Sequence, residues 1–240
     1  MAVTIRDIAE KAKVSVTAVS QILNGKGDRF APRTRDRVFK IAEKLNYTPN
    51  RLAASLATGT TKTLGVIVPD IRNPFFGALA HGIDERATEL GWSIYLSNSS
   101  DSHAKELQII STMIAQQVDG ILFCIAGDTD EASFTICRDR LVESNIPFLL
   151  MDRYFALTDA ASMVTLDHRR GGYLATKHLL ELGHRHIGCI TGPLNLVDAR
   201  MRVAGYQDAL VEAGLPVKPE LMWEGDYHQD SGFACTKKRL

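Results

Sequence analysis

Little in this sequence supports covalent chemistry. It holds no G-x-S-x-G elbow, no H-E-x-x-H pair, no G-x-x-x-x-G-K-[ST] loop and no G-x-G-x-x-G turn. Those absences remove the usual anchors of a hydrolase nucleophile, a catalytic zinc, a nucleoside triphosphate and a dinucleotide. Gly59-Thr60-Thr61-Lys62-Thr63 echoes a phosphate loop, but it lacks the spacing and precedes its strand instead of following it. The four cysteines, Cys124, Cys137, Cys189 and Cys235, form no C-x-x-C pair and read as small buried hydrophobes in a reducing compartment. His178, His184 and His186 have no Cys or carboxylate partner at ligand spacing, so neither a metal nor a cofactor is expected. His184 and His186 instead suit a helix-to-strand turn, where a cation meets a helix C-terminus. No apolar run approaches the length of a bilayer span, and Arg6, Asp7, Glu10 and Lys11 interrupt any secretory signal. A cytoplasmic chain with no membrane partner and no enzymatic activity is therefore expected.

Net charge is absent only on average. Residues 1–62 carry a net of +7, and residues 63–240 a net of −7. A basic head on an acidic body fits a head that grips nucleic acid and a body that does not attract phosphate. With 240 residues there is room for a small domain and a larger one. The boundaries read as 1–49 for the head, 50–62 for a hinge and linker, and 63–240 for the body.

The head is organised around TIRDIAEKAKVSVTAVSQILN, residues 4–24. Thr4 is placed to cap a first helix, with Asp7 completing an acidic capping box. Ile5, Ile8, Ala9 and Ala12 share one helical face. A turn at 13–15 follows, and the Ser15 hydroxyl is placed to cap a second helix. Val19, Ile22 and Leu23 turn inward, leaving Val16, Thr17, Ser20, Gln21 and Asn24 outward. A small, polar N-terminal face on the second helix suits a DNA major groove. Gly25 to Asp28 reads as a loop, and Pro32 opens a third helix, residues 32–45, with Val38, Ile41, Ala42 and Leu45 inward. Tyr47-Thr48-Pro49 breaks that helix, and Asn50 is placed to cap a short fourth one from Arg51 to Ala57.

From Leu64 strands and helices alternate. Strands are expected at 64–68, 93–97, 120–124, 147–151, 163–166, 186–190 and 221–225. Helices are expected at 74–90, 105–117, 131–144, 171–182 and 199–213, with another opening near Asp230. Such repetition means a parallel sheet with helices on both faces, of six or seven strands that one sheet or two subdomains could hold.

At this point several motifs in order resemble one family. The head segment 4–24, LNYTPNRLAASLA (45–57), GVIVPDIRNPFF (65–76), ELGHRHIGCITGP (181–193) and ARMRVAGY (199–206) are similar to the lactose/galactose repressor family. The resemblance runs over essentially the whole chain. It implies a helix-turn-helix head with a hinge helix, on an α/β core like that of the periplasmic binding proteins, with parallel sheets in two subdomains. It implies a homodimeric bacterial repressor of a pseudo-palindromic double-stranded operator, nucleoid-associated and controlled by a small sugar-like effector.

On the head, the resemblance adds Asn50, Arg51, Ala53 and Leu56 to the DNA-contacting set. Leu56 is expected to wedge between base pairs where two hinge helices meet in the minor groove. On the body, Asn73, Phe75 and Phe76 follow the first strand at the carboxyl edge, where folds of this class bind ligands. Asp152 and Arg153 follow the fourth strand, and a carboxylate beside a guanidinium can hold vicinal hydroxyls. Asn73 to Phe76 with Asp152 and Arg153 resembles the ribose-binding proteins and related repressors; Asp167, Arg200, Arg202 and Tyr227 match further ligand positions. A core Phe pair, a turn Asn or surface salt bridges are the bland accounts of these same residues.

Two departures stand out. The family usually has Thr-Val-Ser-Arg in the second helix, where this chain has Ala18-Val19-Ser20-Gln21. An Arg would read guanine bidentately, whereas a Gln prefers the N6/N7 edge of adenine. Family members also continue past the point where this chain ends, so a core with exposed apolar surface and weak effector binding is expected. Two other classes compete with the regulator: a sugar-binding protein with no DNA role, against which the basic head speaks, and an α/β enzyme, which needs the motifs that are missing.

Overall fold

The computed structural model describes residues 3–47, 59–155 and 162–238. The chain divides into two compact units, residues 1–61 and 62–240. The hinge positions Asn50, Arg51, Ala53 and Leu56 lie outside the described residues, as does the helix expected there.

In the first unit, α1 (Ile5–Ala12), α2 (Val16–Leu23) and α3 (Pro32–Lys44) enclose one small core. Ile8, Ala12, Val19, Ile22 and Val38 are its buried centre, with Ile5, Leu23, Ile41 and Leu45 packed at its edge. The caps are those the residues imply. Asp7 Oδ2 accepts from both the Thr4 backbone N–H and the Thr4 hydroxyl, each at 2.7 Å. Ser15 Oγ accepts from the Ala18 N–H at 3.1 Å, satisfying a donor that the start of α2 leaves without a partner. Lys13 takes the left-handed conformation, φ 53°, that ends α1 and makes the turn tight. Ala18, which the sequence pattern left unassigned, is buried on the inner side of α2.

The second unit is built from βα repeats. Its strands are β1 (Thr63–Val68), β2 (Ser93–Asn98), β3 (Gly120–Phe123), β4 (Phe148–Met151) and β5 (Ser162–Val164). They form one parallel sheet in the order β2-β1-β3-β4-β5. Helix α4 (Pro74–Glu89) leans on one face over Val66, Val68 and Met151. On the other face, α5 (His103–Ala115) and α6 (Glu131–Glu143) close a larger core around Ile67, Ile121, Phe123 and Phe134. Such double cover is why β1 reads as a continuous apolar run and not as an alternation.

A second, two-stranded parallel sheet joins β6 (Cys189–Thr191) and β7 (Met222–Glu224). Helices α7 (His168–Glu181), α8 (Val197–Glu212) and α9 (Gln229–Lys237) accompany it. Here the expected boundaries move. Helix α7 begins three residues early, because the Asp167 carboxylate caps it by accepting from the Arg170 N–H at 2.8 Å. Strand β6 begins three residues late: His186, Ile187 and Gly188 precede the pairing, and a Cβ on Gly188 would stand 2.7 Å from the Trp223 ring. At the α7 C-terminus Arg185 Nη1 donates to the Leu180 carbonyl and the His184 backbone N–H to the Leu179 carbonyl, both at 3.1 Å. Of the cysteines, Cys124 and Cys137 are buried as expected, while Cys189 and Cys235 are only half-buried.

Candidate functional site

The outward face of α2 is chemically simple. Val16, Thr17 and Asn24 are exposed, and Ser20 and Gln21 are half-buried beside them. The Asn24 amide donates to Ser20 Oγ at 3.4 Å. Gln21 Oε1 accepts from Arg29 Nη2, a residue of the following loop that the sequence pattern did not single out.

In the body, residues that follow β1 and β4 meet residues from the first turns of α8 and from just before α9 in one polar cluster. The Asp152 backbone adopts φ 62° and Tyr227 φ 67°. Left-handed backbone at a bulky aromatic is costly, on the order of 1–3 kcal/mol, and persists where surrounding contacts hold it. Tyr227 is held on several sides. Its hydroxyl donates to Asp198 Oδ2 at 2.7 Å, and its ring lies 5.4 Å from the Arg153 guanidinium and 5.2 Å from that of Arg202. A Cβ on Gly192 would fall 1.9 Å from the Tyr227 ring, so only glycine fits beneath it.

Arg153 is almost wholly buried. Its Nη1 donates to Asp101 Oδ1 at 2.7 Å and to the Ile125 carbonyl at 3.0 Å, while its guanidinium lies over Phe76, 5.4 Å from the ring centre. Asp152 is buried beside it. His168 Nε2 comes within 3.2 Å of Asp152 Oδ1, yet no well-aligned hydrogen bond closes on that oxygen. Burial pushes the Asp152 carboxyl up from the ordinary range, against the pull of His168. Asp198, 1% exposed, likewise keeps Oδ1 without a hydrogen bond. Arg202 Nε donates to His168 Nδ1 at 3.2 Å and its Nη1 stands 3.8 Å from Asp198 Oδ2.

At the mouth, His228 lies between two carboxylates, 3.4 Å from Asp70 and 3.5 Å from Asp101. A cavity of about 480 Å³ opens here, lined by Asp70, Arg72, Asn73, Pro74 and residues 226–230. A larger groove, about 640 Å³, runs along α4 past Leu64, Leu79, Ile83, Leu90 and Trp92. Its lining is almost wholly apolar, so it offers a polar ligand nothing to orient on.

Thus Phe76, Asp152, Arg153, Arg202 and Tyr227 converge. Asn73 caps α4, its Oδ1 accepting from the Phe75 N–H at 3.0 Å, and borders the smaller cavity. Phe75 is exposed, in edge contact with Phe76 at 5.1 Å. Asp167 and Arg200 make local bonds instead. The first caps α7, and the second donates to the Leu194 and Asn195 carbonyls, both at 2.8 Å. Asp198, Asp101, His168 and His228 complete the cluster; Asp198, His168 and His228 each sit one residue from a motif or a singled-out position without being part of it, and Asp101 has no motif beside it.

A further carboxyl lies deeper. Glu106 is completely buried, accepting from the Ala126 N–H at 3.2 Å and from the Thr129 hydroxyl at 3.0 Å. Burial pushes its pKa up to about 7. Since the folded value lies above the unfolded one of 4.5, the native state holds the extra proton between those values. Stability from this group is therefore full below about pH 4.5 and is lost as pH rises through 7. In urea titrations between pH 5 and 8, Glu106→Gln should flatten that decline. An unchanged slope would show that Glu106 is ionised throughout.

Comparison with known proteins decides the family. Residues 4–50 match the model of the bacterial regulatory proteins of the lacI family. Residues 61–239 match that of the periplasmic binding proteins and sugar binding domain of the LacI family. The chain belongs to the LacI family. Catabolite control protein A of Priestia megaterium is 38% identical to it over the whole chain and 70% of that protein. The transcriptional repressor PurR of Aliivibrio fischeri is 35% identical over 99% of this chain and 68% of its own. Among solved structures, the lac repressor dimer bound to operator and the anti-inducer ONPF superposes with a TM-score of 0.83 at 29% identity, over 99% of this chain and 70% of that one. The LacI-family chain is thus a transcriptional regulator with a helix-turn-helix head and an α/β core with parallel sheets.

Proposed function

We propose that this regulator binds a pseudo-palindromic operator as a homodimer, through residues 1–49 and a hinge at 50–62, and that a small polyhydroxylated effector in the core at 63–240 sets its operator affinity. In the head, Thr4, Ser15, Val16, Thr17, Ser20, Gln21 and Asn24 form the DNA-facing set, joined by Asn50, Arg51, Ala53 and Leu56 of the hinge. In the core, Asn73, Phe75, Phe76, Asp152, Arg153, Arg202 and Tyr227 serve the effector, with Asp167 and Arg200 shaping the loops around them. The apolar groove along α4 is the natural seat for a second copy. A cytoplasmic, nucleoid-associated location follows from operator binding.

One observation carries the effector reading. Two buried carboxylates, Asp152 and Asp198, each keep an oxygen without a hydrogen bond in the same polar cluster. A buried acceptor without a partner is costly, and a ligand hydroxyl would satisfy each. The test is a thermal-shift screen of pentoses, hexoses and nucleobases, followed by isothermal titration of any hit. Asp152→Asn and Asp198→Asn should each weaken the hit roughly tenfold or more, because hydrogen bonds to charged groups are the strong ones. A core stabilised by nucleobases alone would overturn the polyol assignment.

A further inference from the structure

The loop after α2 is fixed more firmly than its composition suggests. The Lys26 N–H donates to the Gln21 carbonyl at 2.8 Å, and the Phe30 N–H to the Gly27 carbonyl at 2.9 Å. Gly27 is buried so closely on α2 that a Cβ there would stand 3.0 Å from Ile22 Cα. Asp28 is taken by Arg35 at 3.2 Å, and Phe30 packs on the head core. Arg29 is carried on this frame. Its guanidinium lies over the Phe30 ring, 5.0 Å from the centre, and its Nη2 donates to Gln21 Oε1.

That last bond changes what Gln21 can read. A guanidinium has only donors, so the oxygen of the Gln21 amide, and not its nitrogen, must face Arg29. A bidentate contact to adenine requires that same oxygen to accept from the N6 amino group while Nε2 donates to N7. A charge-assisted bond takes one of the two Oε1 lone pairs, so the pair presents Nε2–H and the remaining guanidinium N–H groups, donors well in excess of the one acceptor position left. Guanine offers two acceptors, O6 and N7, on its major-groove edge. We propose that Gln21 and Arg29 read DNA as one donor-rich unit that selects guanine, the loop arginine supplying the guanidinium that α2 itself lacks. This rests on the head reading an operator, and it reverses the adenine preference that Gln21 alone implies.

The test is binding-site selection by the full chain from duplexes with randomised half-sites, repeated with Arg29→Ala and Gln21→Ala. The unaltered chain should enrich guanine at one position of each half-site. Arg29→Ala should lose that preference roughly tenfold to hundredfold and move toward adenine, since Gln21 regains its acceptor. Arg29 is exposed, so its removal leaves the core of the head intact. As an independent readout, 7-deazaguanine at the selected position should weaken the unaltered chain and leave Arg29→Ala nearly unaffected. Enrichment of adenine by the unaltered chain, or a consensus that survives Arg29→Ala, would overturn the paired reading while leaving DNA recognition standing. A chain that enriches no sequence would overturn both.

Discussion

Raising salt from about 50 to 200 mM is expected to weaken DNA binding by this protein by about three orders of magnitude, for a dimer that neutralises about six phosphates. The reasoning starts from the charge of residues 1–62, a net of +7 on a chain with no net charge. Each phosphate neutralised releases condensed counterions, so affinity falls as a power of salt concentration. The body, at −7, cannot supply this attraction and repels the duplex. The slope should therefore belong to the head. Fluorescence anisotropy with a labelled operator across a salt series measures it directly. A slope near zero would mean that the basic residues of the head do not meet phosphate.

The second large effect concerns two helices of the core that touch through their backbones. A Cβ on Gly205 of α8 would lie 1.9 Å from the Arg169 carbonyl oxygen, and one on Gly172 of α7 would lie 2.2 Å from that of Arg202. Backbone atoms cannot swing away as a side chain does, so the helices must part. Gly205→Ala and Gly172→Ala should each cost about 3 kcal/mol or more in urea unfolding of the core. They should also disturb the polar cluster around Tyr227, because Arg202 is on the displaced helix. The neighbouring Gly171 makes the control. Nothing stands within 4 Å of a Cβ there, so Gly171→Ala should gain up to about 1 kcal/mol from helix propensity alone. Equal behaviour of the adjacent pair Gly171 and Gly172 would sink the close-packing account.

The sequence by itself determined the order of elements, the class of fold and the capped helix pair of the head. These follow from short-range causes: apolar spacing of 3.6 or a continuous run, a Ser or Thr before a helix, a Pro opening one. It also picked out Phe76, Asp152, Arg153, Arg202 and Tyr227, because each follows a strand at the carboxyl edge or matches a motif. Tertiary structure decided what those side chains do. Asp167 and Arg200 share the same stretches of sequence, yet one caps α7 and the other holds loop carbonyls. Asp198 joins the cluster because α8 turns it toward Tyr227, and His228 because α9 begins beside Asp70 and Asp101. The same holds for Gln21, whose amide has two faces until Arg29, eight residues on, occupies one of them. A residue's chemistry is local, but which of its donors and acceptors remain available is set by neighbours the fold brings from elsewhere in the chain.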